Sequence, residues 1–203
     1  MAPAGDYDPL NRIADDGRGR DVMGILLAFA PFLAFALVDR LIGPTAGLAA
    51  GALVSLALIA GDVLTPARSP KILEIGTAIL FTTLAAYALL GHPTWSVIGV
   101  RLCVDAGLLL IVLATMVIGR PFTLQYAREQ VGAEFHGSPA FLRTNYVITG
   151  VWALAFTVMV AAELALLYLP EMSHRLGVVV IVLALVGAVK FTGWYPTRVR
   201  RDP

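Results

Sequence analysis

An all-α, polytopic membrane protein is the fold class this sequence predicts, with six transmembrane helices and both termini on the cytoplasmic side. Three observations predict it. First, 58% of the 203 residues are hydrophobic and only 14% are charged, against about a quarter charged in ordinary soluble domains. The mean hydropathy of +0.80 leaves more apolar surface than a soluble domain of this length can hide, so lipid is the solvent for most of the chain. Second, the apolar residues fall in runs of about 20, the length that crosses a bilayer as a helix. Third, the basic residues divide unequally between the two sides of those runs.

The elements follow in order. Residues 1–21 hold Asp6, Asp8, Asp15, Asp16 and Asp21 beside Arg12, Arg18 and Arg20. This arm is too long and too acidic for a signal-peptide n-region, and its composition predicts disorder. The first span, 22–38, is read as an uncleaved anchor flanked by Asp21 and by Asp39 and Arg40. The second, 45–60, follows Pro44. It is so close to the first that the two read as a hairpin. Gly47 and Gly51 form a GxxxG pair in it, a spacing that lets helices approach closely. The third is 72–90. The fourth, 97–118, is closed by Gly119, Arg120 and Pro121. The fifth, 144–169, stops at Pro170, and Ser138-Pro139 upstream reads as a helix start, serine capping and proline in the first turn. The sixth is 176–193, closed by Trp194, Tyr195 and Pro196. Residues 196–203 form a basic tail.

Twelve basic residues fall on one side of these six spans: Arg12, Arg18, Arg20, Arg68, Lys71, Arg120, Arg128, Arg143, Lys190, Arg198, Arg200 and Arg201. Only Arg40 and Arg175 fall on the other, and Arg101 lies inside a span. This split places both termini in the cytoplasm.

Net charge is +1, which gives no global field for nucleic acid. The single cysteine, Cys103, excludes a disulfide framework and reads as a small buried hydrophobe. His92, His136 and His174 sit in three different loops with no metal-ligand spacing, and no nucleophile constellation or phosphate loop is present. No cofactor, no metal and no enzymatic activity are expected.

Ionisable groups at membrane depth are costly and therefore candidates for function. Arg101 and Asp105 share one face of the fourth span. At 1.5 Å per residue they lie about 6 and 12 Å below its outer edge, and Glu163 lies about 9 Å below the same edge on the fifth. The expected arrangement is a cluster in which Arg101 bridges Asp105 and Glu163. It reads as a structural ion pair that orders the helices, as a solute or proton site, or as Arg101 snorkelling to the outer headgroups. Glu74 and Lys190 both lie near the inner interface, where solvation suffices.

The long loop 120–143 is the other candidate. Phe122 and Tyr126 are four apart while Arg128 and Glu129 point elsewhere, which suits a short helix lying on the inner membrane surface. With Arg120, these residues form a candidate partner-docking surface; the bland alternative is a loop that merely orients two helices. Asn145 and Thr149, four apart, make a polar face near the same interface.

The pattern as a whole resembles the intracellular septation protein A family of bacterial inner-membrane proteins. The likeness rests on Ala30-Pro31-Phe32-Leu33 in the first span and Thr45-Ala46-Gly47 in the second. It continues through the Gly-Arg-Pro-Phe-Thr-Leu loop at 119–124, Phe141-Leu142-Arg143-Thr144-Asn145, Val151-Trp152-Ala153-Leu154-Ala155-Phe156, and the aromatic, basic end at 194–201. The resemblance implies a non-enzymatic role in septation and envelope maintenance, through contacts with division or envelope-synthesis proteins in the bacterial inner membrane. The acidic arm and the long loop depart from that family. The alternative expectation is a small secondary transporter or channel, with Asp105 and Glu163 as coupling carboxylates and Arg101 as gate or anchor.

Overall fold

A computed structural model describes residues 27–65, 69–91, 94, 96–129, 131–169, 171 and 173–199. Among these, all regular structure is helical: α1 (Ala30–Leu41), α2 (Pro44–Leu64), α3 (Ile72–Gly91), α4 (Val97–Val117), the short α5 (Phe122–Arg128), a 3-10 turn (Ala133–Phe135), α6 (Pro139–Tyr168) and α7 (His174–Val199). Five of them, α2, α3, α4, α6 and α7, are long and apolar enough to cross a membrane. The chain is therefore a multi-pass membrane protein on length and composition.

The expected first span differs. Its residues 22–26, the arm before it, His92 and residues 200–203 lie outside the described residues. The described helix α1 has 12 residues, about 18 Å and short of the bilayer core. Pro31 sits in its first turn, where a missing N–H costs nothing. The turn at Phe29 separates α1 from residues 27–28. At its other end α1 runs past the expected boundary, so that Asp39 is inside the helix and buried.

Local chemistry sets the remaining ends. Gly43 has φ +137°, a conformation that side chains resist, and Pro44 opens α2, so two residues turn the α1–α2 hairpin. Ser138 accepts from the Phe141 N–H at 3.2 Å, the expected N-cap, and Ser96 caps α4 in the same way by accepting from the Gly99 N–H at 3.0 Å. After α4, Gly119 has φ +79°. Its N–H reaches the Met116 carbonyl, and the Arg120 N–H reaches Thr115, which closes the helix as a Schellman motif. The sixth expected span extends to Val199 with Pro196 inside the helix.

Consecutive helices pack as neighbours from α1 to α4. Then α4 packs on α6, and α6 on α7. The glycine pair on α2 is used on both sides. A Cβ on Gly47 would lie 2.9 Å from Asp39 Cβ, and one on Gly51 2.6 Å from the Phe81 ring. One apolar cluster joins α1 to α4 through Phe35, Leu48, Phe81, Val100 and Val104. The other surrounds Phe29, Phe122, Trp152 and Phe156, with Phe29 stacked on Trp152 at 4.7 Å. Cys103 is exposed on the bundle surface rather than buried, because the buried face of α4 runs through Val100, Val104 and Leu108.

Candidate functional site

The buried face of α6 organises the polar groups. Asn145, Thr149, Trp152, Phe156, Met159 and Glu163 are all buried, and their spacing of three and four places them on one stripe. The stripe is polar at both ends and apolar for about 15 Å between Thr149 and Met159. A separate ionic cluster lies beyond each end.

At the end where α1 turns into α2, the carboxylate of Asp39 is fully buried and Arg101 is about one-third exposed. The guanidinium donates to one oxygen, Oδ2, from Nε at 3.0 Å and from Nη2 at 2.5 Å. Neighbouring Arg101 on α4, Asp105 lies within hydrogen-bonding reach of Glu163 from α6, and Arg101 acts electrostatically on both. A hydrogen bond between two carboxyl groups requires a proton on one of them. The structure thus brings together the three residues expected from the sequence. It gives the short ion pair of Arg101 to a fourth, Asp39, which the sequence reading had left as a flanking residue. The signal for Asp39 was its depth. It stands two residues inside the end of α1 and Arg101 four residues inside the start of α4, opposite charges near one level.

Two atoms in this cluster stand out. Asp39 Oδ1 and Glu163 Oε2 are buried and accept no hydrogen bond. A buried carboxylate oxygen without a donor carries a desolvation cost with nothing to offset it. Three carboxyls face one guanidinium, so even with one proton shared the cluster is a positive charge short.

At the α5 end the picture is different. Lys71 is buried and lies 3.3 Å from Asp62, 3.6 Å from Glu74 and 3.2 Å from Glu129. Its own N–H donates to Glu74 Oε2 at 3.1 Å, and its ammonium stands over the Tyr126 ring at 5.1 Å. Tyr126 donates to Glu74 Oε1 at 3.4 Å, and Gln125 accepts from the Ile72 N–H at 2.7 Å. Burial opposes the Lys71 charge, but Glu74, Glu129 and Asp62 outweigh it and its pKa is raised. Burial first, then the Glu74 charge, pushes the Tyr126 phenol well above its usual range. Glu74 finds its cation in Lys71, while Lys190 is exposed on α7.

The expected surface helix at 122–128 therefore forms, but it is tucked under the bundle. Phe122 and Tyr126 are 0% and 3% exposed, so neither is presented to a partner. Arg120 and Arg128 are exposed, and Glu129 is half-exposed but spent on Lys71. The cause is that the polar atoms of the loop have internal partners. Thr123 Oγ1 donates to the Asn145 carbonyl or pairs with Thr149 at 2.9 Å, and the Phe122 N–H finds Thr115. His136 contacts the Val131 carbonyl at 2.8 Å. Among the described residues, no group of three or more His, Cys, Asp or Glu side chains is placed to hold a metal.

The chain matches no family model, no curated protein and no solved structure. The septation likeness stands on the residues quoted for it alone.

Proposed function

We propose that this chain is a small, non-enzymatic secondary transporter or channel of the bacterial inner membrane, with six spans and both termini cytoplasmic, that takes up and releases a proton or small cation at Asp105 and Glu163. Arg101 is the counter-ion of that site, and Asp39 holds Arg101 in place. The observation that carries this reading is the pair of buried, unpartnered oxygens on Asp39 and Glu163. Ionisable groups inside a membrane generally mark ion or proton pathways, and these two oxygens lack the partners that a purely structural ion pair would supply.

The test is flux. The purified chain, reconstituted into liposomes containing a pH-sensitive dye, is given a pH gradient and a valinomycin-set potential. The expected result is gradient dissipation faster than in protein-free liposomes, returning to the protein-free rate in Glu163→Gln. Wild type indistinguishable from protein-free liposomes sinks the reading, as does full activity in Glu163→Gln.

The envelope-division role implied by the family likeness is less well supported. Its partner surface at 120–143 loses Phe122 and Tyr126 to the core, while Arg120, Arg128, Glu134, Phe135 and Arg143 stay exposed. That role predicts disturbed cell shape or septum placement in a deletion strain.

A further inference from the structure

Helix α7 packs mainly on α6 and leaves a long face bare. Val179, Leu183, Val186, Lys190, Trp194 and Arg198 are all exposed, and their spacing of four, three, four, four and four makes one continuous stripe. Its first half is purely aliphatic. Its second half is cation, indole, cation, one turn apart each. Arg198 stands over the Trp194 ring at 5.8 Å. The indole is itself held from behind, since Phe191 packs on it at 5.9 Å and stacks on Tyr195 at 5.0 Å. Neither Lys190 nor Arg198 makes an ion pair with a described residue, although Asp39, Asp62, Glu74, Asp105, Glu129 and Glu163 lie elsewhere in the bundle. Lys190 and Arg198 flank Trp194 one turn to either side on this face.

We infer that this stripe is a binding site for an anionic phospholipid, whose phosphate lies between Lys190 and Arg198 against Trp194 and whose acyl chain runs along Leu183 and Val179. Two cations with no acidic partner complement a phosphate, and the indole is the side chain that best suits headgroup level. The aliphatic half of the stripe specifies a lipid over a free anion, because a soluble phosphate gains nothing from Leu183. The inference is independent of the carboxyl site and of any transport.

The test reads Trp194 fluorescence in nanodiscs, in a Trp95→Phe background where Trp152 stays enclosed by the core. Brominated phosphatidylglycerol is expected to quench Trp194 at a several-fold lower mole fraction than brominated phosphatidylcholine. Each cation near an anionic membrane surface contributes about 1 kcal/mol, so Lys190→Gln and Arg198→Gln should each lower that preference roughly fivefold. Lys190→Arg should keep it, which separates loss of the site from loss of the fold. Arg143→Gln, a basic residue at the same end but off the stripe, should leave it unchanged. Equal quenching by the two lipids overturns the site. So does an Arg143→Gln effect as large as that of Arg198→Gln, which would mean diffuse charge, or abolition of the preference by soluble glycerol phosphate, which would mean an anion site.

Discussion

The two ionic clusters at opposite ends of α6 are built from the same residue types and are satisfied to different degrees. At the α5 end, Lys71 meets three carboxylates, and the Glu74 oxygens also receive a backbone N–H and a phenol. At the other end, Arg101 spends two donors on one oxygen of Asp39, and one oxygen each of Asp39 and Glu163 goes without. A network with its partners in place rigidifies a structure, whereas a partly satisfied one is costly. The first cluster therefore reads as a latch that ties α5 to the start of α3. The second stores unsatisfied bonding capacity, which is what a site that exchanges ligands needs.

The largest effect expected from this contrast is at Lys71. Lys71→Met leaves Glu74 buried without its cation, and removal of one member of a buried pair typically costs about 3–5 kcal/mol. A denaturant titration in detergent micelles should show that loss, and a cost below about 1 kcal/mol would mean the latch is no tighter than a surface pair.

The next effect sharpens the comparison by making one substitution in both places. Glu74→Gln weakens the bond to Lys71 and should destabilise by about 1–3 kcal/mol. Glu163→Gln puts a neutral amide of the same shape in place of a carboxyl that already has one oxygen without a donor, so little bonding is lost. Its melting temperature should be no lower than that of wild type, even though it is the variant expected to abolish flux. Equal destabilisation by the two substitutions would erase the distinction between the clusters.

The smallest effect is a titration. Because the Tyr126 phenol is pushed above its ordinary range in the folded state, the stability linked to it is fully present below the unfolded pKa of about 10 and declines as pH rises beyond that. Tyrosinate absorbance between pH 9 and 11 should come from the other tyrosines, so Tyr126→Phe should leave its amplitude unchanged in the folded protein. A loss of one tyrosine's worth of signal would mean that the latch is open to water.

Much of this architecture was legible in the sequence. Ser138-Pro139 announces α6, Gly47 and Gly51 mark a close approach, and Arg101, Asp105 and Glu163 share a depth because helical rise converts residue number into distance. What was illegible is which faces meet. Asp39 stands next to Arg40, and a charged pair after an apolar run looks the same at a lipid interface as at a helix contact. Phe122 and Tyr126 have the spacing of a helix lying on a membrane. That spacing is identical when the helix turns its aromatic face into a bundle, and only Thr115, Thr123 and Thr149, which supply the polar bonds beneath, decide between the two. Pro31 lies within an apolar run long enough to span, and apolarity carries no sign of the turn before it.

The apolar middle of the α6 stripe has an electrical meaning. Met159 and Phe156 hold no polar atom on the buried face and the Trp152 indole N–H is taken up by Thr192 at 3.0 Å, so across the bundle they form an uncharged layer between the two ionic clusters. A membrane potential drops over that layer, and about 100 mV is worth about 2.3 kcal/mol for each elementary charge moved through it. A charge that arrives at Glu163 from the nearer surface crosses little of that drop, and one that continues past Trp152 crosses most of it. Occupancy of the carboxyl site should therefore respond weakly to voltage, while any passage beyond it responds strongly.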